Sequence, residues 1–383
     1  MVSFLGWEWT QGAKTNASDP MQHYGHKNVM FRDTEEGKVP TRPIAAASDN
    51  VFRSNSQLPA AVRGLALLAL SKLDLRGYES FAEHVATLGA MDDCGEGDVR
   101  ELDDDCFEEA KTPAELFKKL DQWGYDALVI PHGMAWGNTN PAGSDFISQM
   151  DQLSSKYQRL LEVYSGHGNS EVFRDIQMPL VGDSICPEPA NNYTPCCWQA
   201  GEIIRKRCLK NGNNEQECDQ RAGDTRNLYL SNMNNISMIN FSHDVVPDSR
   251  PGDWGQCDQL VGEFLPAFYY QPKQSAQYSL TLGDENKRFR PGFIGSSDNH
   301  SARAGSGYKE QQRVYFTDVK ENILAPKPVK KPDSLVDQPI QPSTFFSDTE
   351  DLSEAFYYTG GLVAVHSEGR YRDAIWRALE RRV

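Results

Sequence analysis

The chain has no apolar run approaching the roughly 20 residues that a membrane-spanning helix needs. The nearest, Ala60 to Leu70, is broken by Arg63. Dense blocks of lysine and arginine are also missing, and a formal net charge of -15 repels phosphate backbones and anionic lipid alike. Neither nucleic acid nor a membrane surface is therefore expected as a partner. The opening Met1-Val-Ser-Phe-Leu-Gly-Trp-Glu-Trp-Thr10 lacks the basic start and apolar core of a secretory leader. It reads as a short strand reaching a carboxylate at Glu8, so the protein is cytoplasmic or its true start lies upstream. CxxC pairs are absent, which argues against a zinc ribbon. No GxSxG, Walker loop or Rossmann glycine fingerprint occurs, leaving serine hydrolase, P-loop and dehydrogenase chemistry without support. There is no internal repeat.

What is present is a chain of 383 residues, 39% hydrophobic and 24% charged, enough for one α/β barrel with insertions or for two ordinary domains. Eight cysteines fall unevenly: Cys94 and Cys106, then Cys186, Cys196, Cys197, Cys208 and Cys218, then Cys257. Their even number and crowding suit disulfides in an oxidising compartment, periplasmic or secreted; buried free thiols in a cytoplasmic protein are the alternative.

Several segments read as a short apolar strand with a polar end, which is how parallel barrels present an active face. Asp126-Ala-Leu-Val-Ile-Pro-His132 follows an amphipathic helix from Thr112 to Trp123, whose Thr-Pro-Ala-Glu opening supplies a cap, a first-turn proline and a capping box. Gln149 to Arg159 leads into Leu160-Leu-Glu-Val-Tyr164. Pro291 to Ser297 leads into Asp298, and Gly360 to Val365 into His366. The pattern predicts an α/β fold, one domain over 1–383 with three additions. An acidic insertion (90–111) is read as solvated surface, with a metal or cation role as the alternative. A Cys-rich excursion (176–258) is read as loops around one helix, Gln199 to Cys208. A Pro-rich connection (323–344) is read as extended.

Chemistry concentrates at strand ends. In Gly295-Ser-Ser-Asp298-Asn-His300 a carboxylate and an imidazole two residues apart reach one site and suit neighbouring metal ions. A solvent-facing pair is the alternative reading. His132 ends its strand at the same rim, and Glu8, ending the first strand, suits a bridge between cations or a rim salt bridge. His26 and His23 compete for a further ligand position. Glu162 and His167 stand where they either orient ligands or touch substrate. Arg303 and Lys309 follow the Asp-x-His motif and suit an anionic substrate group, or a solvated basic loop.

Taken in order, Gly6-Trp-Glu8, Gly25-His26-Lys-Asn28, Ile130-Pro-His132-Gly, Leu161-Glu162-Val and Gly295-Ser-Ser-Asp298-Asn-His300 resemble the later motifs of the PHP (polymerase and histidinol phosphatase) superfamily. More closely, Glu162 to Glu171, Pro195 to Ile204, Phe293 to Glu310 and Gly360 to Arg382 resemble a bacterial group within it catalogued as a domain of unknown function, DUF3604-like. The resemblance covers nearly the whole chain.

It implies a distorted (βα)7 barrel holding two or three divalent ions, zinc, manganese or iron, and a phosphoesterase working through a metal-bridging hydroxide on a small anionic substrate. Glu8 would be the bridging carboxylate, His26 and His132 ligands of one ion, Asp298 of another and His300 of a third. Catalysis would fall to Glu8, His132 and Asp298, and substrate binding to Arg303, Lys309 and His167, with Glu162 behind the ligands. The superfamily opens with a strand carrying His-x-His, which does not precede Glu8, and continues with a strand beyond Arg372 to Arg382. The expectation is thus a barrel incomplete at its N-terminal side. A metal hydrolase of a non-phosphate bond, and a non-catalytic metal-binding or interaction protein, are the rival readings.

Overall fold

The computed structural model describes residues 2–11, 24–46, 83, 86–132, 146–165, 168–169, 176–177, 179, 183–234, 245–246, 275–284, 288–296, 336–339 and 362–382. Its strands are β1 (Leu5–Trp9), β2 (His26–Phe31), β3 (Ile44–Ala45), β4 (Glu108–Glu109), β5 (Ala127–His132), β6 (Leu160–Ser165), β7 (Gly168–Asn169), β8 (Ile176–Gln177), β9 (Thr194–Pro195) and β10 (Gly292–Gly295). The helices are α1 (Pro113–Trp123), α2 (Phe146–Asp151), α3 (Cys196–Lys210), α4 (Glu215–Asn234), α5 (Ala276–Thr281) and α6 (Arg372–Arg381).

Two three-stranded sheets, β1-β2-β5 and β10-β6-β7, lie side by side through β5 and β6. β6 and β10 pair in parallel. β2, however, runs antiparallel to both β1 and β5, a departure from the all-parallel arrangement expected at its position. The described strands do not close into a barrel. Antiparallel pairing brings the start of β2 beside the ends of β1 and β5, and that relation builds the site described below.

Alternation along the strands separates two cores. One face carries Trp9, Val29, Phe31, Ala127 and Val129 against Leu116, Phe117, Leu120 and Trp123 of α1. The other carries Leu128, Ile130 and Leu160, with Met30 and Ile294, against Trp376 and Leu379 of α6. Helix α1 forms where its local signals place it. The Thr112 hydroxyl accepts the Glu115 amide at 3.2 Å, Pro113 opens the first turn, and Gly124 at φ +73° ends the helix with its amide on the Leu120 carbonyl. The Glu115 carboxylate accepts the amide of Lys111, one residue before the cap, at 2.6 Å.

Three expectations need correction. The apolar stretch ending at Val365 joins no strand ladder over its described part, 362–365, although Val365 packs against the second core. The acidic segment is not all surface: Glu108 is 1% exposed, its carboxylate accepting Arg42 Nη2 and Nε at 2.6 and 2.9 Å and also bonded to Lys119 Nζ. The described part of the Cys-rich excursion is largely helical, since α3 is followed by α4, which the sequence reading took as loop. Disulfides Cys186–Cys197 and Cys208–Cys218 staple this region, and Cys94–Cys106 closes the acidic one. Cys196 is disulfide-bonded as well, so every described cysteine is paired.

Candidate metal centre

The chain enters β2 through Gly25, at φ +66°, a left-handed conformation that a β-carbon would disfavour. The entry is pinned from several sides. The Tyr24 amide donates to Gln11 Oε1 at 2.6 Å, while the Tyr24 carbonyl accepts from Lys27 Nζ and Gln149 Nε2. His26, the first residue of β2, therefore has a fixed starting point. Register pairs His26 with His132, Asn28 with Ile130, and Glu8 with Asn28. Strand alternation then puts Glu8, His26 and His132 on one face, at the end of the rows that carry Leu128, Ile130 and Met30 into the α6 core. β1 comes this close because residue 6 is glycine: a β-carbon there would meet the Val29 carbonyl oxygen at 2.2 Å.

Glu8 Oε1 is the focus of the cluster. It lies 2.9 Å from His26 Nδ1 and 3.5 Å from His132 Nε2, and it accepts the Thr10 hydroxyl at 2.7 Å. The imidazoles meet edge to face with centroids 5.7 Å apart. Both histidines are buried. Burial by itself would raise the Glu8 carboxyl pKa, but the contacts with His132 and then His26 outweigh it, holding the group well below the usual carboxylate range. Glu8 is thus ionised at any physiological pH.

The donor set fits a divalent cation. Ligand atoms at metal bonds of about 2.0–2.2 Å in a tetrahedral shell stand roughly 3.3–3.6 Å apart. The observed 3.5 Å falls in that range, the 2.9 Å contact is a few tenths of an ångström shorter, and the three ligand atoms lie within 4.8 Å of one another. His26 meets Glu8 through Nδ1, while its other ring nitrogen, Nε2, is buried with no hydrogen-bond partner among the described residues. Two imidazoles and a carboxylate suit zinc, manganese or iron without choosing among them.

Of the residues expected at the site, Glu8, His26 and His132 converge. Glu162 is buried on β6, on the face that carries Leu160 into the α6 core, and accepts a hydrogen bond from the Ser296 hydroxyl just beyond β10. It is not one of the three clustered donors. The register of β10 slips between Ile294 and Gly295, turning the strand just before Ser296. Asp298, His300, Arg303, Lys309, His167 and His23 lie outside the described residues. Sequence reasoning missed Thr10 and Ser296. Thr10 carried a signal, since a hydroxyl two residues beyond Glu8 on a strand shares its face. It also missed Lys27, one residue from His26 on the opposite face. Lys27 is fully buried over the Trp9 ring, and burial pushes its ammonium down to about 7.

Residues 279–383 match the model of a family described as a protein of unknown function (DUF3604). This stretch is similar to the domain which that family describes. It contains β10, α6 and the Asp298-x-His300 motif, whereas Glu8, His26 and His132 lie outside the matched residues. No curated protein and no solved structure matches the chain.

Proposed function

We propose that this chain is a metal-dependent hydrolase of the PHP superfamily, built on its distorted barrel and acting on the phosphate ester of a small anionic substrate. The observation that carries the reading is the convergence of Glu8, His26 and His132, with one carboxylate oxygen 2.9 and 3.5 Å from the two imidazoles. These residues arrive from three strands in the order of the superfamily's motifs, and Asp298 and His300 complete the proposed set. Two or three divalent ions would supply Lewis acidity there. The chain's own residues hold the site ready. Glu8 stays ionised, Thr10 fixes the oxygen it presents, and burial keeps both imidazoles in place. Arg303 and Lys309 would take the substrate's negative charge, one by paired hydrogen bonds and the other as a point charge. The disulfides support a periplasmic or secreted setting.

The test is elemental analysis of the purified chain, followed by turnover of an aryl phosphate. Bound divalent metal that is lost in Glu8→Ala and in His132→Ala, together with metal-dependent phosphate release, is the expected result. Metal-free wild-type protein after incubation with zinc or manganese would defeat the reading. Metal binding without turnover on phosphate, amide or lactone substrates would leave the non-catalytic metal-binding reading in its place.

A further inference from the structure

The end of the α3–α4 hairpin carries a polar clamp that the metal centre does not use. Arg207, 5% exposed near the end of α3, donates through Nη1 to the Val336 carbonyl at 3.1 Å. Asn211 and Asn213, in the turn between the helices, donate their side-chain amides to Asp337 Oδ2 at 3.0 and 3.2 Å. Arg221 of α4 pairs with Asp337 Oδ1 at 3.1 Å and donates to the Asp337 carbonyl at 3.3 Å. Both carboxylate oxygens and two successive main-chain carbonyls of one short segment are therefore recognised. Disulfide Cys208–Cys218 joins the helices at this same end, beside Arg207 and within one turn of Arg221.

We propose that this hairpin end is a docking site for a short acidic segment, occupied in cis by Val336–Asp337. The stapled hairpin and the segment 336–339 of the Pro-rich connection then act as one unit, a receptor and the strap it grips. An anion is not there by default. At this turn the partial negative charge of the α3 C-terminus is opposed by the partial positive charge of the α4 N-terminus, so the helix ends alone do little to hold a carboxylate and cations and amides must be supplied. Arg207, Asn211, Asn213 and Arg221 supply them from both helices. Asn213 is itself fixed by donating to the Cys208 carbonyl at 3.1 Å, and Arg221 is braced by Glu217. The donors are thus arranged before the segment arrives, which lowers the ordering cost of gripping it. Charge complementarity matches the occupant, since the lysines of the connection, Lys327, Lys330 and Lys331, all precede Asp337 in sequence and none belongs to the gripped residues.

The connection carries its own reporter. Between Ile323 and Thr344, Lys327 and Lys331 are each followed by proline, so Lys330–Lys331 is the one bond in this stretch that trypsin cuts readily. The experiment follows that cleavage by mass spectrometry in the oxidised full chain, normalised to cuts elsewhere. Asp337 lies outside every helix and strand, so Asp337→Ala removes the carboxylate contacts, and leaves only the two main-chain ones, without touching the folded elements. Asp337→Ala is expected to accelerate the cut about tenfold or more by releasing the strap. A labelled peptide of residues 332–340 should then bind the Asp337→Ala chain, and lose that binding when Arg221→Ala is added. A cleavage rise below threefold overturns the proposal. So does peptide binding that is indifferent to Arg221.

Discussion

His26 sits directly opposite His132 in the antiparallel pairing of β2 with β5, the two rings meeting at 70° with centroids 5.7 Å apart. Opposed residues on neighbouring strands share a face, so the pair is set by register, and Glu8 completes the group because its strand flanks β2 on the other side. Any change that slips β2 by one residue would turn His26 into the α1 core and dissolve the cluster.

Thr10 should matter for metal binding although it is not one of the ligands. Its hydroxyl holds the same Glu8 oxygen that faces both imidazoles. Groups that orient ligands typically contribute about 10–100-fold in affinity. Thr10→Ala is therefore expected to weaken zinc or manganese binding by about that factor in a competition titration with a chromogenic chelator, and Thr10→Ser to restore it. Equal affinity in all three chains would remove Thr10 from the site.

Gly6 controls how closely β1 approaches β2. A β-carbon at that position collides with the Val29 carbonyl, and backbone cannot rotate away as a side-chain tip can. Gly6→Ala should cost about 1–3 kcal/mol of stability through overpacking. Because Glu8 lies two residues along the same strand, the displacement should also weaken metal binding. Denaturation midpoints and the chelator titration check both parts, and an unchanged midpoint would show that β1 moves without penalty.

How much of this was legible in the sequence depends on how local each feature is. The caps of α1 need only Thr112, Pro113 and Gly124, all within or beside the helix, and they read directly. Glu8, His26 and His132 were legible as strand-end residues. The direction of β2 was not, because a strand's apolar pattern is the same read either way and orientation is settled by pairing. Helix α4 was missed because its sequence, Glu215 to Asn234, is mostly polar; only a few residues, among them Ala222, Tyr229 and Leu230, are buried. Disulfides and packing on α3 supply what its pattern lacks. Burial of Glu108 was invisible for a similar reason: among the acidic residues around it, nothing local marks the one that Arg42, 66 residues earlier, reaches.

That pair gives a stability prediction. Arg42 is 4% exposed and Glu108 1% exposed, and Lys119 adds a second cation to the same carboxylate. Removing one partner of a buried ion pair leaves an uncompensated charge and costs about 3–5 kcal/mol. Glu108→Ala should therefore lower the denaturation midpoint strongly, while substitution of exposed Glu96 in the same acidic segment should leave it nearly unchanged. Similar small effects from both would mean that Arg42 finds another partner or water.

Tyr157 provides a pH dependence whose sign can be worked out. Its ring is buried against Phe117, centroids 5.5 Å apart, and its hydroxyl donates to Asp121 Oδ1 at 2.7 Å. Burial first disfavours the phenolate. The Lys156 ammonium opposes that shift while the Asp121 carboxylate reinforces it, and the phenol pKa is pushed up to about 12 from 10.0. Below pH 10 the phenol is protonated in folded and unfolded chains alike and contributes no pH dependence. Between 10 and 12 the unfolded chain releases the proton while the folded chain keeps it, so stability falls as pH rises. With allowance for solvent at the hydroxyl, the loss is about 1–2 kcal/mol. Tyr157→Phe should forfeit about 1 kcal/mol at neutral pH through the missing hydrogen bond. Its melting temperature should then decline less steeply than that of the wild type above pH 10. Thermal melts across that range, with absorbance at the tyrosinate band, measure both effects. Parallel declines in the two chains would mean that Tyr157 titrates as an ordinary exposed phenol and that the Asp121 contact opens in solution.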